Sequence, residues 1–156
     1  MRREADIALR MSRPSAPGLA TRVLTTLHYS LYASAAYLAE RDPAQWEFIS
    51  YDEAPPLAPQ QQWLDKVAAG RRHVLRTNDL GTQYQAVLAG LGVAVLPDYF
   101  AQQPLPIVRI DGYACPVKRK VWIVMHEDVR RAPRVRAVAD RLIAMFDDGR
   151  AHEATQ

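Results

Sequence analysis

The sequence is poor in cysteine and has no long apolar run. Cys115 is the single cysteine in 156 residues, so an internal disulfide is impossible and a disulfide-stabilised secreted scaffold is excluded. No apolar stretch approaches the ~18 residues of a membrane helix, so we expect no transmembrane segment and no membrane partner. Arg2 and Arg3 are followed at once by Glu4 and Asp6, and no long apolar segment comes after them, so we expect no secretory signal peptide and a cytoplasmic location.

Charge of one sign is also scarce. The chain has 20 lysines and arginines against 17 aspartates and glutamates, a net charge of +3, which is too small to indicate nucleic-acid binding. The arginines between residues 130 and 136 are more typical of a solvated surface than of a DNA contact. With 49% hydrophobic and 24% charged residues, the composition is that of a globular protein of one domain or two small lobes.

Motifs for catalysis and metal binding are missing. The four histidines show no His-x-x-x-His spacing and there is no Cys-x-x-Cys pair, so we predict no metal site. Gly90 and Gly92 lack the third glycine of a dinucleotide-binding loop, and no Gly-x-Ser-x-Gly segment is present. Cys115 has no activating base beside it in the sequence. We therefore predict no catalytic residue, no cofactor and no enzymatic activity.

What the chain does have is an alternation of strand and helix patterns, which predicts an α/β fold with largely parallel strand pairing. Proline-rich residues 13–18 and 53–59 predict loops, and polar residues 149–156 predict a disordered tail. Strands are predicted at residues 6–10, 23–33, 48–51, 73–77, 93–97, 107–110 and 120–126. Helices are predicted after Ser34, at residues 60–69, after Asn78 or Asp79, and from Pro133 with Val135, Val138 and Ala139 in its apolar stripe.

Three of the predicted strands end in segments that carry polar residues, at 32–34, 51–53 and 77–79. Ligands of open parallel sheets bind outside the carboxyl ends of the strands. The helix after residue 79 would also direct free N–H groups and its positive dipole end toward such a ligand. These positions predict a site for a small polar or anionic ligand. The alternative for Ser34 and Asp79 is that each only caps the helix that follows it.

Four segments of the chain resemble LysR-type transcriptional regulators, in the order that the family has them. The second of them has Ala35 where proline is common in the family. Together they span nearly the whole chain. They are Glu4–Arg10 (Glu-Ala-Asp-Ile-Ala-Leu-Arg), Leu31–Leu38 (Leu-Tyr-Ala-Ser-Ala-Ala-Tyr-Leu), Arg76–Asp79 with Ala89–Pro97 (Arg-x-Asn, then Ala-Gly-x-Gly-x-x-x-Leu-Pro), and Val121–Val124 with Arg131–Ala137.

The resemblance implies an effector-binding domain similar to type 2 periplasmic binding proteins, where a small molecule binds between two α/β lobes. One complete Rossmann-like lobe, lobe II, would span about residues 14–96, and a truncated lobe I about residues 1–13 and 97–148. The crossovers would lie near Arg10–Arg13 and Pro97–Phe100. No segment resembles the family's helix-turn-helix or the first part of its lobe I, so DNA would be reached only through a helix-turn-helix outside these residues. A homo-oligomer, as a dimer, is expected from the family.

The implied function is to sense a small-molecule effector and so control transcription, since an effector that prefers one lobe arrangement changes the dimer geometry. Arg10 would pair with a carboxylate effector or form a structural ion pair. The alternatives are a free-standing small-molecule-binding module, an enzyme on a doubly wound sheet, and a non-functional truncated remnant. The residues predicted to face the effector are Arg10, Ser12, Ser34, Tyr51, Asp52, Thr77, Asn78, Asp79 and Pro97.

Overall fold

A computed structural model of the chain describes residues 5–52, 58–102 and 107–153. The chain divides into two compact units, residues 1–27 with 119–156, and residues 28–118. The chain passes between these units at residues 27–28 and 118–119. The lobe boundaries predicted near residues 14 and 96 stay a prediction. The described strands are β1 (Ile7–Arg10), β2 (Leu19–Ser34), β3 (Phe48–Ser50), β4 (His73–Arg76), β5 (Val93–Pro97), β6 (Ile107–Arg109) and β7 (Lys118–His126); the helices are α1 (Ala35–Glu40), α2 (Pro59–Ala68), α3 (Leu80–Leu88) and α4 (Pro133–Glu153).

The first unit is built on antiparallel strands and the long C-terminal helix. β1 pairs with β7 so that Ile7 lies opposite Met125, and the strand order continues from β7 to β2. Val135 and Ala139 on α4 are buried, as their apolar spacing predicts, but Val138 is 53% exposed and lies outside the buried stripe. α4 continues to Glu153, past residue 149 where the tail is predicted to begin, and residues 154–156 lie outside the described part.

The second unit combines parallel and antiparallel pairing. β3 pairs in parallel with both β4 and β5, whereas β2 runs antiparallel to β5, with Tyr32 opposite Ala94. β6 also pairs antiparallel with β2. The expectation of largely parallel pairing is therefore correct for the pairs of β3 with β4 and with β5. It is wrong for the pairs β1–β7, β2–β5 and β2–β6, which are antiparallel. Because β3, β4 and β5 run the same way, their carboxyl ends at Ser50, Arg76 and Pro97 meet at one edge.

The core of the second unit lies between this sheet and α3. Every residue of β5 is buried, as its wholly apolar sequence predicts for a central strand. Burying one large apolar side chain contributes roughly 1.5–3 kcal/mol, so this cluster stabilises the packing of α3 on the sheet. The buried cluster consists of Tyr32, Ile49, Tyr84, Ala86, Val87, Ala94 and Leu96.

Helix ends follow local sequence signals. α2 begins at Pro59, and proline fits this first position because its missing N–H would have no partner within the helix. The predicted loop therefore ends before residue 59. Residues 53–57 of that loop lie outside the described residues. α2 ends where Ala69 and Gly70 take the left-handed conformation with φ of 50° and 79°. The Asp79 and Ser34 side chains cap α3 and α1, as predicted.

Candidate functional site

Two loops come together at the carboxyl ends of β3 and β4. The Thr77 N–H donates to the Ser50 carbonyl at 2.9 Å, which extends the strand pairing one residue beyond β4. The Asp52 N–H donates to Asn78 Oδ1 at 3.1 Å. These two bonds join Asp52, Thr77 and Asn78, three of the predicted site residues, and the predicted residues Tyr51 and Asp79 are their neighbours along the chain. We call Tyr51, Asp52, Thr77, Asn78 and Asp79 the strand-end cluster.

Two buried glutamines hold the backbone of the strand-end cluster. Gln61, 1% exposed on α2, accepts from the Tyr51 N–H at 2.9 Å and donates to Asp65 at 2.7 Å. Gln83, fully buried on α3, donates to the Thr77 carbonyl at 2.9 Å. Sequence reasoning missed both residues, because a glutamine in an amphipathic helix is usually taken as part of the solvated face. The loops are therefore anchored on both sides by side chains from the packed helices.

The charges at the strand-end cluster come from its residues Asp52 and Asp79 and from the neighbouring Arg76, the last residue of β4. Asp79 accepts hydrogen bonds from the side chain and the backbone N–H of Thr82, the latter at 2.8 Å, and these bonds lower the pKa of Asp79. The Asp79 carboxylate therefore caps the N-terminus of α3, which is the alternative to ligand binding that the sequence left open for this residue. Arg76 Nη1 lies 3.5 Å from the Tyr51 carbonyl oxygen, the longest distance for a hydrogen bond. The Asp52 side chain is exposed. A carboxylate and a guanidinium thus accompany the Asn78 amide.

Pro97 and Ser34 lie at opposite ends of the sheet in the second unit. Pro97 ends β5, which is parallel to β3, so it shares the edge of the strand-end cluster. Ser34 ends β2, which is antiparallel to β5. We expected the three strand ends to lie at one edge of the sheet, and this expectation is wrong for Ser34. The Ser34 hydroxyl accepts from the Tyr37 N–H at 3.1 Å, and the residue is only 7% exposed.

Arg10 and Ser12 belong to the first unit, not to the unit of the strand-end cluster. Both are exposed, and both line a cavity of about 730 Å³ within the first unit. Arg13, Ser15 and His126 contribute further polar groups to this cavity. The structure therefore groups these two predicted residues with each other and with a polar lining that also includes the carboxylate of Asp6.

A buried tyrosine lies beside the edge formed by the carboxyl ends of β3, β4 and β5, and sequence reasoning did not predict it. The Tyr32 hydroxyl donates to Asp98 at 2.7 Å, and Tyr32 is 1% exposed. Burial raises the pKa of Tyr32 well above its ordinary value, and the hydrogen bond to Asp98 and its negative charge raise it further. The two residues are 66 positions apart, so no sequence spacing could have indicated the pair. The contact ties β2 to the segment that follows β5.

Because its pKa is raised, Tyr32 makes the free energy of unfolding depend on pH in the alkaline range. The folded chain keeps the Tyr32 phenol neutral. The contribution of this residue to the free energy of unfolding is therefore fully present below about pH 10. It declines as the pH rises further, because the phenol ionises in the unfolded chain. We expect the free energy of unfolding to fall less steeply above pH 10 in Tyr32→Phe than in the unaltered chain. Urea unfolding at a series of alkaline pH values measures this, with Tyr99→Phe, which changes a 53% exposed tyrosine, as the control. Parallel decline in all three proteins would contradict the expectation.

Metal and membrane features are absent from the described parts of the chain. Within residues 5–52, 58–102 and 107–153, no group of three or more histidine, cysteine, aspartate or glutamate side chains is placed to hold a metal ion. No helix in these ranges is long and apolar enough to cross a membrane. Burial raises the pKa of the Cys115 thiol, the opposite of what an activated nucleophile requires.

Comparison with solved structures identifies the fold. The regulatory domain of CrgA, a LysR-type transcriptional regulator from Neisseria meningitidis, superposes with a TM-score of 0.71 at 19% identity, over 92% of this chain and 76% of that one. The regulatory domain of AphB from Vibrio vulnificus, treated with cumene hydroperoxide, gives 0.63 at 19% identity, over 90% and 76% of the two chains. The CcmR regulatory domain from Synechocystis PCC6803, in complex with 2-PG, gives 0.59 at 15% identity, over 92% and 74%.

The same comparison bears on the extent of the chain. Against a longer CrgA chain the TM-score is 0.71 at 20% identity, and the match covers 92% of this chain and 53% of that one, so this chain spans about half its length. None of the curated proteins is a significant match. The structural matches show a mixed α/β fold of the type 2 periplasmic-binding-protein-like kind. Since the sequence model of the LysR substrate binding domain matches residues 1–147 of 156, the chain belongs to the LysR substrate-binding domain family.

Proposed function

We propose that this chain is the effector-sensing part of a transcription regulator and that it binds a small polar metabolite at the strand-end cluster. One observation carries this proposal. The Thr77–Ser50 and Asp52–Asn78 hydrogen bonds join two loops at the carboxyl edge of parallel strands, where ligands of such sheets bind. Membership of a family of regulator substrate-binding domains supports the sensing role.

Preorganisation supports binding at this place. Gln61 and Gln83 already hold the Tyr51 and Thr77 backbones, so a ligand does not bear the entropic cost of ordering the two loops. The exposed side chains of Asp52 and Asn78 remain at the surface of these anchored loops. A small ligand that forms hydrogen bonds with them gains affinity without a large rearrangement.

The charges favour a ligand with both hydrogen-bond donors and an acidic group. Asp52 would accept from an amino or hydroxyl group, Asn78 would bond with either, and Arg76 would pair with a carboxylate or phosphate. The 2-PG complex of the CcmR domain supports a small molecule as the class of effector. Since the Asp79 carboxylate caps α3, we assign it to positioning Asn78 and the start of that helix.

Signalling would follow from population shift. An effector that binds one conformation more tightly increases its population, and a DNA-binding head outside this chain would respond to the change. Binding between two lobes stays a prediction from the family resemblance. So do the effector contacts predicted for Arg10, Ser12, Ser34 and Pro97.

A thermal-shift screen tests the proposal. The panel contains amino acids, small hydroxy acids, dicarboxylates and phosphorylated metabolites. A ligand at 100 times its Kd stabilises the folded chain by about 2.7 kcal/mol. For a chain of this size, that corresponds to a Tm increase of roughly 5–10 °C. We expect at least one compound of the panel to give such a shift.

Variants in and beside the strand-end cluster test whether the ligand binds there. Asn78→Ala and Arg76→Gln are expected to weaken the selected compound at least about tenfold each, the effect of losing one charged or neutral hydrogen bond of about 1.4 kcal/mol. Lys66→Ala, which alters an exposed residue on α2, is the matched control and should keep the affinity. A compound that binds both variants as tightly as the unaltered chain contradicts the location, and a panel without any binder contradicts sensing of these ligand classes.

A further inference from the structure

The start of α3 carries its own negative charge. The aligned peptide dipoles of a helix place about half a positive charge at its N-terminus, which usually favours an anion. The Asp79 carboxylate accepts from the Thr82 backbone N–H at 2.8 Å and from the Thr82 side chain, and these bonds lower the pKa of Asp79. Asp79 is therefore ionised at neutral pH. Its full negative charge outweighs the helix dipole, so this end of α3 repels an anionic group.

The neighbouring loop brings a second carboxylate to the strand-end cluster. Asp52 is exposed, and its N–H donates at 3.1 Å to Asn78, the residue that precedes Asp79. An ionised carboxylate only accepts hydrogen bonds, and it does so at about four positions. Thr82 and the Gly81 N–H use only part of this capacity at Asp79. The two loops therefore still offer carboxylate oxygens to donors of a ligand.

A buried acceptor without a donor adjoins the same loops. Gln83 is fully buried, and its Nε2 donates to the Thr77 carbonyl at 2.9 Å, so this side chain is directed at the strand-end cluster. Among the described residues, no group donates a hydrogen bond to Gln83 Oε1. Leaving a buried acceptor without a donor is costly. A ligand that brings N–H donors to Thr77 would satisfy this oxygen, whereas an anion would leave it unpaired.

Building on the proposed function, we propose that the effector carries a primary ammonium group at Asp52 and Asp79 and is a small amino acid. An ammonium has a positive charge and three donors, which match the acceptors at Asp52, Asp79 and Gln83. A hydroxyl group at the same place offers one donor and no charge. A phosphate or second carboxylate there would meet two carboxylates of its own sign. The acid group of the amino acid keeps the partner that the proposed function gives it, Arg76.

Isothermal titration calorimetry of the full chain with matched pairs of compounds tests the proposal. The members of a pair share one carbon skeleton, with an amino group in one and a hydroxyl in the other. The pairs are L-alanine with L-lactate, L-aspartate with L-malate, and L-phenylalanine with L-phenyllactate, and inorganic phosphate is titrated alone. An exposed ion pair changes affinity roughly two- to fivefold. With two carboxylates available, we expect the amino acid of at least one pair to bind about tenfold more tightly than its hydroxy acid.

Two variants test whether the carboxylates cause this preference. Asp79→Asn keeps a residue type that caps helices and removes the charge, so the ratio of amino-acid to hydroxy-acid affinity should fall roughly two- to fivefold. Asp52→Asn should lower the ratio similarly without altering the cap of α3. Asp140→Asn is the control, since it removes an exposed carboxylate of the first unit and should leave the ratio unchanged. A purely structural role of Asp79 would weaken both members of a pair alike and also leave their ratio unchanged.

The failure of this inference differs from the failure of the proposed function. If every hydroxy acid equals or exceeds its amino acid in affinity, or phosphate binds most tightly, the inference is overturned and the proposed function stands. An unchanged ratio in both Asp79→Asn and Asp52→Asn also overturns the inference alone. Binding of none of these compounds overturns both for these ligand classes. If Asp79→Asn lacks a cooperative melt, the ratio in Asp52→Asn decides.

Discussion

Replacing Gly92 with alanine is expected to destabilise the chain by about 3 kcal/mol. A Cβ at this position would lie 2.7 Å from the Glu47 carbonyl oxygen and 3.3 Å from its carbonyl carbon. The Val93 N–H donates to the same carbonyl at 2.9 Å, so the close approach is part of the contact that starts β5 beside β3. Backbone atoms cannot rotate away as a flexible side chain does. The substitution must therefore push β5 away from β3.

Gly70→Ala is the matched control for this prediction. Gly70 has a φ of +79°, and apart from its own chain neighbours no atom of the described residues lies within 4 Å of where a Cβ would be, so alanine there meets only the left-handed backbone penalty of about 1 kcal/mol. Urea unfolding of the two variants measures the difference. A loss in Gly92→Ala no larger than that in Gly70→Ala would contradict the prediction, because it would show that the contact with the Glu47 carbonyl relaxes at little cost.

Replacing Phe48 with alanine is expected to remove about 4 kcal/mol of stability, in the range for truncating a buried aromatic residue. Phe48 is fully buried at the start of β3, opposite His73 on one side and Val93 on the other. The Arg71 guanidinium lies 5.0 Å from its ring centre and loses this contact as well. A loss of this size is a large part of the roughly 5–15 kcal/mol that stabilises a typical domain.

The position of Phe48 connects this loss to the site. β3 continues from Phe48 to Ser50 and directly into Tyr51 of the strand-end cluster. Phe48→Leu keeps most of the buried volume and is expected to cost less than about 1.5 kcal/mol. Chemical unfolding followed by circular dichroism compares the two variants. A loss of less than about 2 kcal/mol for the alanine variant would show that the neighbouring side chains collapse into the space.

Local signals account for the parts of the fold that could be predicted from the sequence. The wholly apolar residues 93–97 predict a buried strand, and β5 confirms it. Gly70 and Asp79 indicate a helix end and a helix start, and the structure places both there. Such signals act within a few residues, where backbone preferences and side-chain hydrogen bonds decide the conformation.

Features that depend on distant residues could not be predicted in this way. An apolar strand has the same pattern in parallel and antiparallel pairs, so nothing in β2 indicates that it runs against β5. Gln83 is polar yet fully buried, because its partner is a backbone carbonyl that only the folded chain brings near. Val138 has the spacing of a buried residue but is 53% exposed.

The residues of the candidate site also include some whose position the sequence predicted correctly and one for which it did not. Tyr51, Asp52, Thr77 and Asn78 were predicted because they follow strands, and the parallel pairing of β3 with β4 brings them together. Ser34 follows a strand of the opposite direction, so the same reasoning fails for it. Whether each of these residues contacts an effector stays a prediction.

The central claim is that the strand-end cluster binds the effector. An amide NMR titration of the 156-residue chain with the compound selected by the thermal-shift panel tests it most directly. We expect the largest shift changes at the amides of Tyr51, Asp52, Thr77, Asn78 and Asp79, saturating with the same Kd as the thermal effect. Saturable changes elsewhere, with these five amides unmoved, would contradict the claim.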